Sequence, residues 1–425
     1  MSDKKIKGSI SASLFVVLKL LRFKTMNQSN NYFGQHLFSQ LISLSNKSIL
    51  SSVIAKSKAN HYYKHLKTYE HFVAMLYCVV TGSTSLREIE AGLGIAQGKL
   101  NHLGIDYVPP RSTLSDGNKN RSADVFKSIY DFLYALYKPN FSDSTLAKTI
   151  LDKLFLMDAT VFSLFKAILK TNGRHSDNGK KKGGIKKNTV LHGTSLMPHF
   201  IDFSAAADHD QNIYSKLQLP QGSYVVFDKG YNNYKQYAKF TAQGVFFVTR
   251  QKENAVYDIA VECLHDETTS SNILQETIII QTYKDELNNP QTLKLRRTVW
   301  YDEKQNRSYE FITNNFELDA ETIALLYKYR WKIELFFKKL KQNFPLQYFV
   351  GDNQNAIEIQ IWMALIALLL LSVIHKNNKT TMAFSVFVTI FKLHLFNYIS
   401  IKQLLAEYKK KNKTKNYQTD MFNSS

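Results

Sequence analysis

Tyr327, Arg330, Glu334 and Lys341 stand at offsets of three, seven and fourteen residues within the segment 326–341. Each helical residue turns through about 100°, so these side chains would share an arc of about 60°, with Lys338 beside them. Leu326, Ile333, Phe337, Leu340 and Phe344 form a stripe on the flank of that arc, so the helix can pack on a core while presenting one carboxylate among cations. A lone acid in such a row suits the holding of a metal beside a polyanion. The same spacing also describes an ordinary surface helix in which Arg330 and Glu334 pair across one turn.

Two further carboxylates end strand-like runs. Asp158 closes the apolar stretch 153–158, and Asp228 closes 223–228, with Gly230 two residues on to let the backbone approach a ligand. In an α/β sheet the carboxyl ends of strands open onto one crevice, where Asp158, Asp228 and Glu334 would meet. Three acids at one place repel unless cations neutralise them, and oxygen ligands suit hard ions such as Mg²⁺ or Mn²⁺. Two such ions about 4 Å apart can activate an attacking water or hydroxyl and steady the leaving oxygen of a phosphoryl displacement. Aspartates at strand ends also serve as turn formers, and Asp152, Asp202, Asp208 and Asp210 are rivals for a site role.

The elements that would position these groups follow from periodicity. From Phe38 to about Tyr137 apolar residues recur at helical spacings. Within this region 85–95 and the residues after it suggest two short helices around a glycine-containing turn, compatible with a helix-turn-helix. The segment 109–121 offers prolines, a Ser or Thr cap and a basic, polar face that suits DNA reading, or else a bundle that packs on the next domain. The period then changes: 153–158, 189–196, 199–204, 223–228 and 244–250 read as strands, with helical pattern at 210–218 and 232–243 and a basic loop at 172–187. Alternating runs with turn signals fill 251–319. The expected organisation is a leader or appendage at 1–30, a helical domain at 31–140, the first part of an α/β core at 149–250 and a β-rich insertion at 251–319. The Glu334 helix with C-terminal helices then occupies 320–405, and a basic, polar tail 406–425.

Composition narrows the partners. The 425 residues are 44% hydrophobic, enough for a sizeable core and against a disordered chain. Lys and Arg number 55 against 35 acids, a net charge of +20, which favours a polyanion, nucleic acid first and an anionic membrane surface second. Cys78 and Cys263 stand alone, so neither a disulfide framework nor a zinc ribbon is supported, and a reducing cytoplasm fits. His175, His192, His199 and His209 match no common zinc spacing. The apolar run 361–374 is short for a bilayer and reads as a buried core helix, with no membrane partner expected. At the start, Lys19 and Arg22 interrupt the apolar stretch 14–21, so it is not a signal peptide; Met26 is an alternative start.

Taken together, AspAlaThr at 158–160, AspLysGlyTyr at 228–231 and the Tyr-Arg-Glu-Lys string at 327–341 resemble the catalytic segments of DDE transposases of bacterial insertion sequences, IS-four family. The resemblance covers about 150–345, and 35–135 is similar to the helical N-terminal domain of one branch. It implies an RNase H-like core with a β-rich insertion between Asp228 and Glu334. By that resemblance Asp158, Asp228 and Glu334 hold two metal ions, while Tyr327, Arg330 and Lys341, with Lys338 alongside, grip phosphates near the element's end. The implied reaction is hydrolysis at the element's ends and attack of the freed 3′ hydroxyl on target DNA, with no cofactor beyond the metals. Relatives pass through a hairpin and stack a flipped base on an aromatic, for which Trp300 is the candidate; Trp331 is expected to pack. Double-stranded DNA at terminal inverted repeats and targets, a homodimer that pairs two ends, and a nucleoid-associated cytoplasmic location are the expected setting. A DNA-binding remnant or repressor, and a structure-selective nuclease on the same core, are the rival readings.

Overall fold

The computed structural model describes residues 34–61, 63–141, 146–163, 173–174, 182–205, 213–214, 216–263, 272–344, 346 and 348–409, and the side chains of these except 159–163, 173–174, 182–188, 200, 202–205 and 263. Contacts divide the chain into two compact units, one built from residues up to 137 with 343–345 and 349 onward, the other from 138–342 with 346–348.

The first unit is helical. Its N-terminal helices are Leu37–Ser43, Lys47–Lys56, Thr68–Thr81, Leu86–Ile95, Leu100–Leu103, Arg111–Asn120 and Asp124–Tyr137. Local chemistry sets their limits. The Ser85 side chain accepts from Glu88 N at 3.3 Å while the Glu88 carboxylate accepts from Thr84 N at 2.8 Å, a reciprocal cap at the start of Leu86–Ile95. Gly82, at φ 78°, ends Thr68–Thr81 in the left-handed region open to glycine. The chain's C-terminal part returns to this unit. Helix Gln354–Asn377, capped by Asn353 through Ala356 N at 2.9 Å, packs against Thr68–Thr81, Arg111–Asn120 and Asp124–Tyr137. It is the one described helix long and apolar enough to cross a membrane, but 94% of that apolar window is buried inside the protein, as expected of a core helix. Phe384–Leu393 follows, and the first residues of the expected tail, 406–409, are still helical.

The second unit is organised by one sheet. Its strands are β1 (Leu154–Ser163), β2 (Gly173–Arg174), β3 (Lys182–His192), β4 (Pro198–Ala205), β5 (Tyr224–Val226), β6 (Phe246–Arg250), β7 (Asp258–Cys263), β8 (Ile273–Lys284), β9 (Pro290–Asp302) and β10 (Arg307–Thr313). The order is β4-β3-β1-β5-β6-β10-β9-β8-β7, with β2 on the far end of β3. β1, β5 and β6 run parallel, and β3 and β4 return antiparallel, which is the RNase H-like core with helical flanks that the sequence leads one to expect. The β-rich stretch is not a separate sheet: β10 pairs antiparallel with β6, so its hairpins extend the core sheet. Met157, Val225, Phe227, Tyr237, Phe247 and Ile312 lie at the centre of the unit's core.

Two expected features differ. The basic stretch 172–187 is not a loop throughout: Gly173 and Arg174 form β2 and pair with Gly183 and Lys182, and Ile185 to Lys187 of β3 pair with β1 and β4, where strand neighbours on both sides outweigh the local charge. Residue 172 and residues 175–181 of that stretch, 210–212 and 215 of the expected helical pattern at 210–218, and residues 1–30 and 410–425 lie outside the described residues. Trp331, expected to pack, is 50% exposed.

Candidate active site

Leu156 of β1 lies opposite Val226 of β5, and Val226 lies opposite Val248 of β6. Two residues further along each parallel strand direction stand Asp158, Asp228 and Arg250, so a single register carries two acids and one arginine across three neighbours about 4.8 Å apart. Asp228 has left the strand and opens the turn Lys229–Tyr231. A Cβ on Gly230 would meet nothing within 4 Å, so the backbone there is open to a ligand.

The third acid arrives on a helix that the sequence draws as continuous. The chain instead forms Ala320–Tyr329 and Trp331–Asn343, joined at Arg330. Arg330 keeps helical dihedrals (φ −53°, ψ −33°), so the joint is slight and the side chains still share a face. The flanking stripe, Leu326, Ile333, Phe337, Leu340 and Phe344, is buried as its spacing requires. It fixes which way Arg330 points.

That direction is toward the acids. The Arg330 guanidinium donates to Glu334 Oε1 at 2.9 Å and lies 3.9 Å from Asp158 Oδ2. Burial disfavours its charge, yet Tyr327, Asp228, Glu334 and Asp158 together raise its pKa above the ordinary value. Asp228 accepts from the Tyr327 hydroxyl at 3.0 Å and from Arg250 at 3.3 Å. Burial works to raise the Asp228 carboxyl, but the Lys229 N–H, Arg330, Arg250 and Tyr327 outweigh it and hold the group below the usual carboxylate value. Burial pushes the Tyr327 phenol up to about 12 against the pull of Arg330, so it stays protonated as the donor to Asp228.

Of the expected residues, Asp158, Asp228, Tyr327, Arg330 and Glu334 are thus linked through one buried guanidinium. Lys338 and Lys341 lie exposed further along Trp331–Asn343. Trp300 sits half-buried on β9, opposite Tyr309 of β10, with ring centroids 6.2 Å apart and Lys328 Nζ 5.3 Å over its ring. From Trp300 a run of rings continues through Tyr309 and Phe311 to Tyr327, whose centroid is 4.8 Å from that of Phe311.

Arg250 is the participant that motif reading missed. It touches Asp228, and its guanidinium lies 5.8 Å from the Tyr309 ring and 5.9 Å from that of Tyr327. The same rule that selects the two aspartates, a polar residue ending a buried strand, could have found it.

The donor chemistry fits a hard divalent ion, since three carboxylates face one cationic centre and supply only oxygen. Among the described residues no three His, Cys, Asp or Glu side chains are close enough to hold an ion by themselves; Arg330 stands between the acids. His192 and His199 have ring centroids 6.4 Å apart and belong to no such group, while His175 and His209 lie outside the described residues.

Residues 150–370 match the family described as transposase DDE domain, and residues 33–106 match a domain of unknown function, DUF4372. A Sinorhizobium fredii protein named as transposase y4zB is 28% identical over 276 residues, covering 64% of this chain and 74% of that protein. A protein of Geobacillus stearothermophilus, named as the transposase for insertion sequence element IS5377, is 26% identical over 53% of this chain and 58% of its own length. A Synechocystis protein named as the transposase for insertion sequence element IS4SA is 26% identical over 64% of this chain and 74% of its own.

Proposed function

The chain belongs to the transposase DDE domain family, and from that membership we propose that it cuts DNA at the ends of an insertion sequence and joins the freed ends to target DNA. It is a DDE-type polynucleotidyl transferase, a class whose catalysis depends on metal ions. The observation that carries the site assignment is the gathering of Asp158, Asp228 and Glu334 around the Arg330 guanidinium at the carboxyl edge of parallel strands.

In this reading Asp158 and Asp228, with Glu334 opposite, would hold Mg²⁺ or Mn²⁺, two ions in all. Bound there, the ions supply neutralisation of charge on the attacking and leaving oxygens of an in-line displacement. The chain's own groups do the remainder. Arg330 and Arg250 offer N–H donors to a phosphate once the carboxylates are otherwise neutralised. Tyr327 keeps its proton and orients Asp228. Lys338 and Lys341, exposed on the adjoining turns, draw the DNA backbone toward the acids. The half-buried Trp300 ring, backed by Tyr309, is a stacking platform for an unpaired base. Two copies acting as a homodimer would process the two ends together. The protein would work on double-stranded DNA, at terminal inverted repeats and then at a target, in the cytoplasm beside the nucleoid.

The test uses purified full-length protein and a duplex carrying the DNA that borders its own coding sequence. Asp228→Ala should abolish strand cleavage while duplex binding stays measurable, and an unchanged cleavage rate would overturn the assignment. Strand-transfer joints among the wild-type products are expected. Nicks alone would favour a structure-selective nuclease instead.

A further inference from the structure

Between the helices Lys47–Lys56 and Thr68–Thr81 runs a short connection whose exposed side chains are almost all cationic or imidazole. Lys56, Lys58, His61, Lys64, His65 and Lys67 face outward, and no Asp or Glu occurs from residue 34 to Tyr69. Among the described residues none of these four lysines is in an ion pair. The charge is uncompensated.

The backbone beneath this charge is held from inside the unit. Asn60 Oδ1 accepts from Thr68 N at 2.7 Å and from Thr68 Oγ1 at 2.8 Å, and the Tyr107 hydroxyl donates to His65 O at 2.7 Å. Arg121, 1% exposed, donates to Leu66 O at 2.5 Å and lies 4.0 Å from the centre of the Tyr63 ring. Arg121 is held in turn by His71 Nδ1 at 2.8 Å, and His71 Nε2 meets Asn118 Oδ1 at 2.7 Å. Burial, and then the Arg121 charge, lowers the His71 pKa to about 3, so the ring stays neutral, accepting from the guanidinium and donating to Asn118. Arg121 therefore does not belong to a DNA-reading face of Arg111–Asn120. It is an internal strut for the lysine segment.

Lys58 adds a second sign. Its φ is +51°, the left-handed region where glycine or asparagine is the favourable residue, so a lysine there carries a backbone cost. Beside it lies a depression lined by Ser51, Ile54, Ala55, Asn60, His61 and Tyr69, in which the Ser51 and Tyr69 hydroxyls already donate to Lys47 O at 2.8 Å and Leu103 O at 2.9 Å. Exposed lysines in no ion pair, set on a backbone held from inside the unit, are the makings of a phosphate contact.

We propose that the segment Lys56–Lys67 grips the phosphate backbone of double-stranded DNA without regard to base sequence. This rests on the reading of the chain as an enzyme that acts on DNA, and assigns the helical unit's contact to residues other than the helix-turn-helix candidate. Because the backbone at Asn60, His65 and Leu66 is already hydrogen-bonded from inside the unit, little chain entropy is lost there on contact, and counterion release from the duplex drives binding.

The experiment is fluorescence anisotropy of the full chain on a labelled random-sequence duplex at several salt concentrations. Changing Lys56, Lys58, Lys64 and Lys67 together to glutamine should weaken binding about tenfold or more at low salt and flatten log K against log salt by about 0.9 for each phosphate no longer neutralised. Lys58→Gly should lose affinity while its melting temperature holds or rises, an outcome a purely structural lysine would not produce. If the fourfold variant does not fold, Lys58→Gly and Lys64→Gln decide. Unchanged affinity and slope in folded variants overturn the proposal alone, as does a loss confined to Arg111→Gln with Lys119→Gln. So does a defect seen on anionic vesicles but not on the duplex. A wild-type chain that binds no duplex at all overturns both this surface and the DNA-directed function.

Discussion

Arg330 is 7% exposed and faces three carboxylates, so its charge is the counter-ion on which their closeness depends. Arg330→Ala would take the shared guanidinium from Asp158 and Glu334 while Asp228 keeps Arg250; with these carboxylates partly exposed the cost is about 1–3 kcal/mol. Thermal melting at pH 7 should show that loss, with partial recovery on adding Mg²⁺ or on acidification; an unchanged melting temperature would remove Arg330 from this role. Asp228 makes a second prediction with pH. Its folded pKa is depressed, so its contribution is complete above the unfolded value of about 3.9 and disappears as pH falls through the folded value. The stability gap between wild type and Asp228→Asn should therefore be present at neutral pH and close in strong acid, which chemical denaturation across pH would measure.

At the scale of elements, the helix Ala320–Tyr329 aims Tyr327 and its start decides how firmly. Asp319 accepts from Thr322 N and from Thr322 Oγ1, both at 2.7 Å, and caps that start. Asp319→Ala should cost about 1 kcal/mol in urea unfolding, the usual worth of such a cap. Tyr327→Phe removes only the donor to Asp228 and should cost about 1 kcal/mol while its ring packing on Phe311 remains. The parallel strands contribute through register: a slip by one residue would turn Asp158 or Asp228 to the other face of the sheet.

At the scale of the molecule, the helical unit is discontinuous in sequence. Its central helix, Gln354–Asn377, is buried from Ile359 to Ile374 and comes after the sheet-containing unit in the chain. A chain stopped after Gln342 would keep the N-terminal helices but lose the apolar surface they cover. Limited proteolysis of that truncation should digest the region up to Tyr137 far faster than in the intact protein; equal protection would show that the N-terminal helices hold a core of their own.

The primary sequence determined much of this because its signals are periodic. The apolar stripe beside Arg330 and Glu334 states which side faces the core, the strand ends at Asp158 and Asp228 state where the acids emerge, and the apolar run within Gln354–Asn377 states that the helix is buried all round. Pairing across long separations was not legible. No local pattern tells that β10 joins β6 to make the insertion part of the core sheet. Nor does it tell that Arg121 turns inward to support the lysine segment, or that Trp331 stays exposed. Those outcomes depend on which surfaces remain uncovered after the elements have packed, and only the tertiary structure decides that.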